Sequence, residues 1–388
     1  MILLSTKRIQ AYLLFFFLPG IFWMHPIKSE AQNTQYKAVE ELRIGTLDGE
    51  FEYMFARISD IAVGVNGTIF VFDSPAGDPV VRLFDDEGSF IKYVGRDGRG
   101  PGEYDNIEGI GTFPDGRLAI WDIGNQRINE YQPNGDFIES YPVTSGLHSS
   151  YKTFEVDHDG NFYLKAMFFD RNNPQNNINP PKAWYKISPT GELIDTLHVP
   201  QSEEDFPQHF VIFTDAGAGY PFNNQMVENF SSSGFVITAV NNKYEIILHK
   251  EEQPVIIQRE YSPLEVSSEE KELWEGFKKR FTSGGYNIDS SIPDEKPPFK
   301  ELLTDSQGRI WVWRYTKSQL VDGGIFSSNI QVWEPPVFDV FNPDGTFYGE
   351  VTLPIGAVFL EAKDNNVWAK FTDDDQTEYV VRYKLLAK

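Results

Sequence analysis

The sequence predicts an all-β fold, a six-bladed β-propeller of four-stranded antiparallel blades, and three observations support this. Aromatic residues make up 15% of the 388 residues, and many stand in short alternating runs that are typical of strands. A hairpin signature recurs along the chain. The sequence also contains no cysteine, so burial must supply the stability, which favours one large closed core.

The recurring unit is an alternating strand, a tight turn that ends in Gly or Asn, and a second strand of β-branched and aromatic residues. Six copies are recognisable, with turns at Gly67, Gly116, Gly160, Gly234, Gly308 and Asn366. Asn-Gly and Asp-Gly pairs supply the positive φ that two-residue hairpin turns require. A second turn follows most copies, so each repeat contains four strands, as one propeller blade does.

Residues 1–31 are predicted to be a signal peptide. Lys7 and Arg8 precede an apolar run over residues 11–23, and Ser29 and Ala31 form a small-residue cleavage site before Gln32. An uncleaved N-terminal anchor is the alternative. No later stretch is apolar enough to span a bilayer. We expect an exported protein, periplasmic or extracellular, that is not lipidated on cysteine because it has none.

The propeller is expected to occupy residues 38–388. The last repeat offers only three strands before the chain ends, whereas residues 38–47 form a strand-like segment near the mature N-terminus. Pairing this segment with the C-terminal strand would close the ring and remove an exposed sheet edge. The sequence therefore predicts that residues 38–47 complete the last blade.

One helical insertion is predicted over residues 263–285. Ser267 and Glu270 have the spacing of a capping box, and basic residues end the segment. Its apolar face contains Leu273, Trp274, Phe277 and Phe281. That face is expected to pack on the propeller, and a surface for a partner is the alternative.

Two stretches resemble a known group of proteins. Residues 116–141 resemble an NHL repeat, with a glycine turn, an alternating strand that ends in Asp122, and an Asn-x-Arg corner at Asn125 and Arg127. The sequence VGRDGRGPGEY, at 94–104, is similar to a loop motif of a bacterial six-bladed propeller family that is related to NHL proteins and often exported. The resemblance implies the fold but not a reaction, because propellers host many unrelated functions.

The glycine-rich loop at 94–111 poses a choice between a structural bend and a ligand-contacting loop. Its glycines permit unusual dihedral angles, while Arg96, Arg99 and Glu103 could fix it by ion pairs. Phosphate binding would require a helix N-terminus after the loop, and a strand-like segment follows instead. We expect a bend between two blades.

Each repeat carries one acid a few residues before its first turn, namely Asp60, Glu108, Glu155, Glu228, Glu301 and Glu361. If these acids point inward, they form an acidic ring at the propeller axis that suits Ca²⁺. Their distances to the turn have mixed parity, so they share a face only if bulges intervene. The alternative is a mixture of contacts between blades and solvated groups.

The formal net charge of −23 argues against nucleic acid as a partner. No zinc-binding histidine pair and no nucleophile-elbow motif is visible. We therefore expect a monomer that acts as a recognition or scaffold module for a protein, peptide or glycan, with a mouth built from loops of blades three to five. A hydrolase, lactonase or lyase that uses a channel cation is the alternative.

Overall fold

The computed structural model describes residues 27–28, 34–74, 79–143, 147–148, 154–168, 182–199, 213–214, 217–218, 222–283, 292–320 and 332–388. Except for residues 27–28, the predicted signal peptide lies outside these ranges. The described strands form six antiparallel blades of four strands each, which confirms the predicted fold class.

Blades one to three follow the chain in order. Blade one contains Ile58–Val63, Ile69–Asp73, Val80–Phe84 and Phe90–Val94. Blade two contains Ile107–Thr112, Leu118–Asp122, Arg127–Tyr131 and Phe137–Pro142. Blade three contains Phe154–Val156, Phe162–Phe168, Lys182–Ile187 and Leu193–His198.

Blades four to six complete the circle. Blade four contains Met226–Ser231, Phe235–Val240, Glu245–His249 and Val255–Gln258. Blade five contains Phe299–Thr304, Ile310–Arg314, Val337–Phe341 and Phe347–Thr352. Blade six contains Ala357–Lys363, Asn366–Thr372 and Glu378–Ala387, and its fourth strand is Gln35–Ile44.

The remaining elements are short. They comprise a 3₁₀ turn at Phe51–Tyr53 and two-residue strands at Ile27–Lys28, Leu147–His148, Phe213–Thr214, Gly217–Ala218, Leu264–Glu265, Glu295–Lys296, Gln319–Leu320 and Val332–Trp333. The first strands of neighbouring blades contact one another around the axis, for example Ile58–Val63 with Ile107–Thr112. These first strands therefore line the centre of the ring.

The strand from the beginning of the chain joins the last blade. Gln35–Ile44 runs antiparallel to Glu378–Ala387, with Val39 opposite Lys384. Its first residues also pair in parallel with blade five, where Tyr36 lies opposite Val351. The observed strand begins three residues before the expected segment 38–47, and it connects blades five and six as well as closing the ring.

The first turns of five blades use glycine in the left-handed region, with φ from 73° to 91° at Gly67, Gly116, Gly160, Gly234 and Gly308. These turns are longer than the expected two-residue type. At Gly116, for example, the turn covers residues 113–116 and is closed by a bond from the Gly116 N–H to the Phe113 carbonyl. The Phe113 N–H in turn donates to the Arg117 carbonyl. Blade six differs, because Asp364 at φ 55° makes the turn and Asn366 begins the next strand.

The hydrophobic core lies between blades. Each of six clusters of buried side chains in the described residues joins two neighbouring blades. Between blades three and four, Trp184 and Tyr163 of blade three pack on Phe230 of blade four. Stability therefore depends on contacts around the whole ring.

The helical insertion forms the helix Ser268–Ser283. Its capping box is reciprocal: the Glu270 N–H donates to Ser267 Oγ at 3.2 Å, and the Ser267 N–H donates to Glu270 Oε2 at 2.9 Å. Trp274 is only 3% exposed, so this residue of the predicted apolar face is buried. No helix in the described parts of the chain is long and apolar enough to cross a membrane.

A buried ion network fixes the helix to blade five. Lys296 Nζ lies 2.7 Å from Glu270 Oε1 on the helix and 2.6 Å from Glu334 Oε1, which precedes the third strand of blade five. The three side chains are 1–3% exposed. Lys296 also donates to the Thr316 carbonyl at 3.0 Å and to Ser318 Oγ at 2.8 Å. These bonds offset the cost of burying the charges.

Candidate functional site

The candidate site is the central channel, a cavity of about 270 Å³ between the first strands of the blades. Five of the six acids selected from the sequence line it, namely Asp60, Glu108, Glu155, Glu301 and Glu361. The wall also contains hydroxyl and amide side chains that could not be selected from the sequence, namely Ser59, Thr112, Asn229, Ser232, Thr304 and Ser306, together with apolar residues such as Phe72, Phe154 and Phe359.

A bulge brings an acid of different parity to the same channel. The register of the first two strands shifts between Ile58 and Asp60 in blade one, and between Phe299 and Glu301 in blade five. Blade two shifts between Ile107 and Gly109, and blade six between Phe359 and Glu361. In blade two Glu108 is itself the extra residue of the bulge, so its even spacing to the turn does not place it on the opposite face. The other four channel acids have odd spacings and share a face by regular alternation.

Glu228 is the exception, and its expected place in the ring is wrong. Blade four pairs its first two strands without a shift, and the channel position is taken by Asn229. Glu228 instead lies 2.5 Å from Lys165 of blade three. Because neighbouring residues of a strand face opposite sides, a difference of one position converts a channel acid into a link between blades.

Two channel acids also connect blades through backbone N–H groups. Asp60 Oδ2 accepts a hydrogen bond from Ile110 of blade two at 3.3 Å, and its Oδ1 accepts one from Ile61 at 2.8 Å. Glu361 Oε1 accepts bonds from Ser306 of blade five at 3.0 Å and from Ala362 at 2.9 Å. These two carboxylates are therefore part of the scaffold as well as of the channel wall.

The channel raises the pKa values of three of its acids. Burial raises the pKa of Glu361 to about 8, and the nearby Asp305 and Asp60 carboxylates add to the rise. Burial also raises the pKa of Glu155 well above its usual range, with further contributions from Glu361 and Asp60. The Glu301 side chain is exposed within the channel. Partial loss of hydration there raises its pKa to about 7, against the opposing effect of the Lys300 charge.

These shifts determine what the channel offers a ligand. Near neutral pH the wall mixes protonated acids, which donate and accept hydrogen bonds, with ionised ones, which only accept. In the residues that the structure covers, no group of three or more His, Asp or Glu side chains is placed to hold a metal ion. These acids line one cavity, but they do not lie close enough together to act as ligands of one ion. A Ca²⁺ site needs several oxygen ligands around the same point.

The glycine-rich loop is tied down by the residues selected for it. The Arg96 Nη2 atom lies 2.7 Å from Glu103 Oε1, and Glu103 Oε2 accepts a bond from the Gly100 N–H at 2.7 Å. The Gly100 N–H and the Arg96 side chain lower the pKa of Glu103. Arg99 lies 3.7 Å from Asp105. Arg96 and Arg99 remain 80% and 84% exposed.

The corner of blade two fastens the other side of this loop. Arg127 Nη2 donates to the carbonyls of Gly100 at 2.8 Å and Glu103 at 2.6 Å. Asn125 donates to the Gly98 carbonyl at 3.0 Å. The loop carbonyls thus point at blade two, and the arrangement is that of a bend between blades.

The mouth expected from blades three to five is only partly described. Trp184, which begins the third strand of blade three with Lys182 and Ala183, is fully buried between blades three and four. Phe222 packs edge-on against Tyr315, with ring centroids 5.4 Å apart. Tyr220, Tyr286 and the insertion at 170–181 lie outside the described residues.

Comparison with known proteins identifies the same propeller architecture elsewhere. Residues 29–179 match the model of a family described as DUF5128, 6-bladed beta-propeller. A member of the DUF4221 family from Bacteroides vulgatus has 10% identity and a TM-score of 0.52, with 92% of this chain and 99% of that chain covered. No curated protein matches the sequence.

Two further solved structures are similar at lower scores. A protein from Bacteroides fragilis described as exported has 13% identity and a TM-score of 0.47, covering 91% of this chain and 99% of that one. Virginiamycin B lyase from Staphylococcus aureus has 10% identity and a TM-score of 0.40, covering 90% and 100%. At such identities the likeness concerns the fold alone. The chain is a six-bladed β-propeller, and over residues 29–179 it matches the propeller family DUF5128.

Proposed function

We propose that the protein is an exported recognition module that binds a protein or peptide partner by taking one of its positively charged groups into the central channel. The observation that carries the proposal is that five carboxyl groups line the channel, together with hydroxyl, amide and apolar side chains. Such a wall supplies acceptors for the N–H groups of an ammonium or guanidinium head. A glycan, which needs both donors and acceptors, is the other ligand class this wall suits.

The net charge of the protein and the size of the channel both favour a cationic group as the ligand. The chain has a formal net charge of −23, which attracts a basic partner from a distance. The channel, at about 270 Å³, is near the lower limit of ordinary ligand pockets and suits one side-chain head group better than a large cofactor. Export is supported by the N-terminal basic, apolar and small-residue segments.

The proposal is tested with matched peptides and matched variants. The probes are acetyl-Gly-Gly-Lys-Gly-Gly-amide, its Arg counterpart and its Gln counterpart, titrated calorimetrically at low and physiological salt. The Lys or Arg peptide should bind measurably and the Gln peptide should not. Equal affinity for all three, or no binding of any, would contradict a charge-recognising channel.

The variants separate the channel from general acidity. Glu155→Gln with Glu301→Gln removes two channel acids for which the described residues show no side-chain hydrogen bond. Glu251→Gln with Glu252→Gln makes the same two substitutions at exposed positions of blade four. The channel pair should weaken binding by about tenfold or more, which corresponds to about 1.4 kcal/mol, and the surface pair should not. Equal losses would show that only the overall charge attracts the peptide.

The cation-dependent hydrolase, lactonase or lyase remains the second candidate, and the described geometry favours it less. Three or more oxygen ligands would have to converge, and the acids of the described residues do not. Heat on titration with Ca²⁺, together with a raised melting temperature and hydrolysis of a lactone, would reverse this preference.

A further inference from the structure

A second cavity, separate from the channel, lies between blades four and five. It measures about 450 Å³ and contains none of the channel-lining residues. Its lining comes from the end of blade four, the segment before the helix, the segment 296–298 and the end of the second strand of blade five. A volume of this size is in the range of small-molecule sites. We propose that this groove binds an acidic sugar, a pyranose ring that carries a carboxylate.

The floor of the groove presents guanidinium groups. Asp339, which is fully buried, lies 3.0 Å from Arg259 Nη1 and 3.5 Å from Arg314 Nη1, and it accepts a bond from the Tyr244 hydroxyl at 2.7 Å. Arg314 also pairs with Glu350 at 2.7 Å. For Arg259, Asp339 is the one ion-pair partner in the described part of the chain. The Arg259 side chain lines the groove and is 21% exposed, so part of it can be reached from the cavity.

Arg259 is also held in a fixed orientation. Its Cζ atom lies 4.2 Å from the centroid of the Phe347 ring, so the guanidinium plane is supported on one side by blade five. A guanidinium fixed in this way matches the two oxygens of a carboxylate better than a flexible ammonium does. Lys317 at the rim is exposed and adds a second cation, whereas Glu260 is the acid on that rim.

Another part of the groove wall is apolar. Tyr261 is 41% exposed and Leu264 is 37% exposed, and both line the groove together with Pro297 and Pro298. An exposed tyrosine ring offers a flat surface on which the C–H face of a sugar can stack, with the hydroxyl group free to bond. Cationic donors and a ring surface within one groove suit a sugar acid.

The same wall argues against an extended peptide. Leu264 pairs with Lys296 in a two-stranded ladder, and the next two residues along that strand are prolines. Proline has no N–H to donate, so a peptide strand could not continue the ladder at Pro297 and Pro298. A ligand held by its ring face and its carboxylate needs no backbone donors there.

The test uses the tetrasaccharide of galacturonic acid and, as its uncharged match, the same tetrasaccharide with methyl-esterified carboxyl groups. Titration calorimetry of the whole protein should give binding of the acid form that is at least about tenfold tighter than that of the ester. Equal affinity for the two forms, or binding of neither, overturns the proposal. The affinity for the acid form should also fall as salt is added.

Variants locate the binding. Tyr261→Ala and Lys317→Gln change exposed groove residues, and each should weaken binding of the acid tetrasaccharide by about three- to tenfold. Tyr93→Ala and Lys37→Gln are the matched exposed controls outside the groove and should leave the affinity unchanged. Arg259→Lys keeps a cation beside Asp339 but removes the planar donor pair, so it should weaken binding while the protein stays folded. Wild-type affinity in the two groove variants would overturn the assignment.

The outcome is independent of the channel proposal. Glu155→Gln with Glu301→Gln should bind the acid tetrasaccharide as the wild type does, because neither residue lines the groove. A loss of sugar binding in that pair would show that the sugar occupies the channel instead, and would overturn the assignment to the groove.

Discussion

The carboxylate of Glu361 in blade six accepts a hydrogen bond from the backbone N–H of Ser306 in blade five, at 3.0 Å, while it lines the central channel. One side chain thus serves both the assembly of the ring and the wall of the candidate site. Its pKa is raised to about 8 because burial and neighbouring acids disfavour its charge. The free energy of folding therefore depends on whether this channel residue is protonated, and so on pH.

The first prediction concerns this dependence. Glu361 and Glu301 have folded-state pKa values near 8 and 7, above the usual 4.5, so the folded protein holds protons that the unfolded chain has released. Their contribution to stability is complete below about pH 4.5 and is lost as pH rises through the folded values. Glu361 should lower the free energy of unfolding by at most about 1.4 kcal/mol per pH unit in that window, and the exposed Glu301 by less because solvent screens its charge.

Urea unfolding at pH 5, 6, 7 and 8 measures the slope. The variant with Glu301→Gln and Glu361→Gln should show a smaller decrease between pH 5 and pH 8 than the wild type. An equal slope in the two proteins would mean that these acids ionise normally in the channel.

The second prediction concerns the buried ion network under the helix. Lys296→Met leaves Glu270 and Glu334 without their shared cation, and it should reduce the free energy of unfolding by about 3–5 kcal/mol. Chemical denaturation measures the change. Lys271→Met, which removes an exposed pair with Asp294, is the matched control and should have little effect. Similar losses in both variants would contradict the role assigned to Lys296.

The third prediction concerns the closing strand. Val39 and Lys384 lie directly opposite each other, and the chain has no other cysteine to interfere with a disulfide between them. Val39→Cys with Lys384→Cys should form that bond and raise the free energy of unfolding by about 2–4 kcal/mol under oxidising conditions. Reduction should return it to the wild-type value. An unchanged midpoint in the oxidised form would indicate that the closing strand stays paired during unfolding.

The fourth prediction concerns the glycine-rich loop. Arg127→Met removes the donors to the carbonyls of Gly100 and Glu103, so amide hydrogens at 97–104 should exchange faster. Arg99→Gln changes a side chain that is 84% exposed and should leave exchange almost unchanged. Faster exchange in Arg99→Gln than in Arg127→Met would reverse the assignment of the anchoring residue.

Much of the fold could be predicted because its signals are local. The glycines at Gly67, Gly116 and Gly308 mark hairpins through their own backbone conformation, and a capping box marks the helix. The blade count follows from the recurrence of such hairpins. The burial of Trp184 could not be predicted, because it depends on contact with Phe230 of the next blade rather than on the neighbouring sequence.

The candidate site was less accessible to sequence reasoning. Glu108 reaches the channel as the extra residue of a bulge, and no residue type announces a bulge. Glu228 has the same even parity before its turn but lies in a blade whose first two strands pair without a shift. The groove between blades four and five could not be predicted, because Arg259 and Asp339 meet only after two blades have packed together.

The pairing of Gln35–Ile44 with Glu378–Ala387 also determines when, during synthesis and folding, the ring can close. Gln35–Ile44 has no strand partner until blades five and six have been made, more than three hundred positions later. Contacts of such long range slow folding. Without Gln35–Ile44 in place, both Phe347–Thr352 and Glu378–Ala387 keep an open sheet edge, and the ring is not closed.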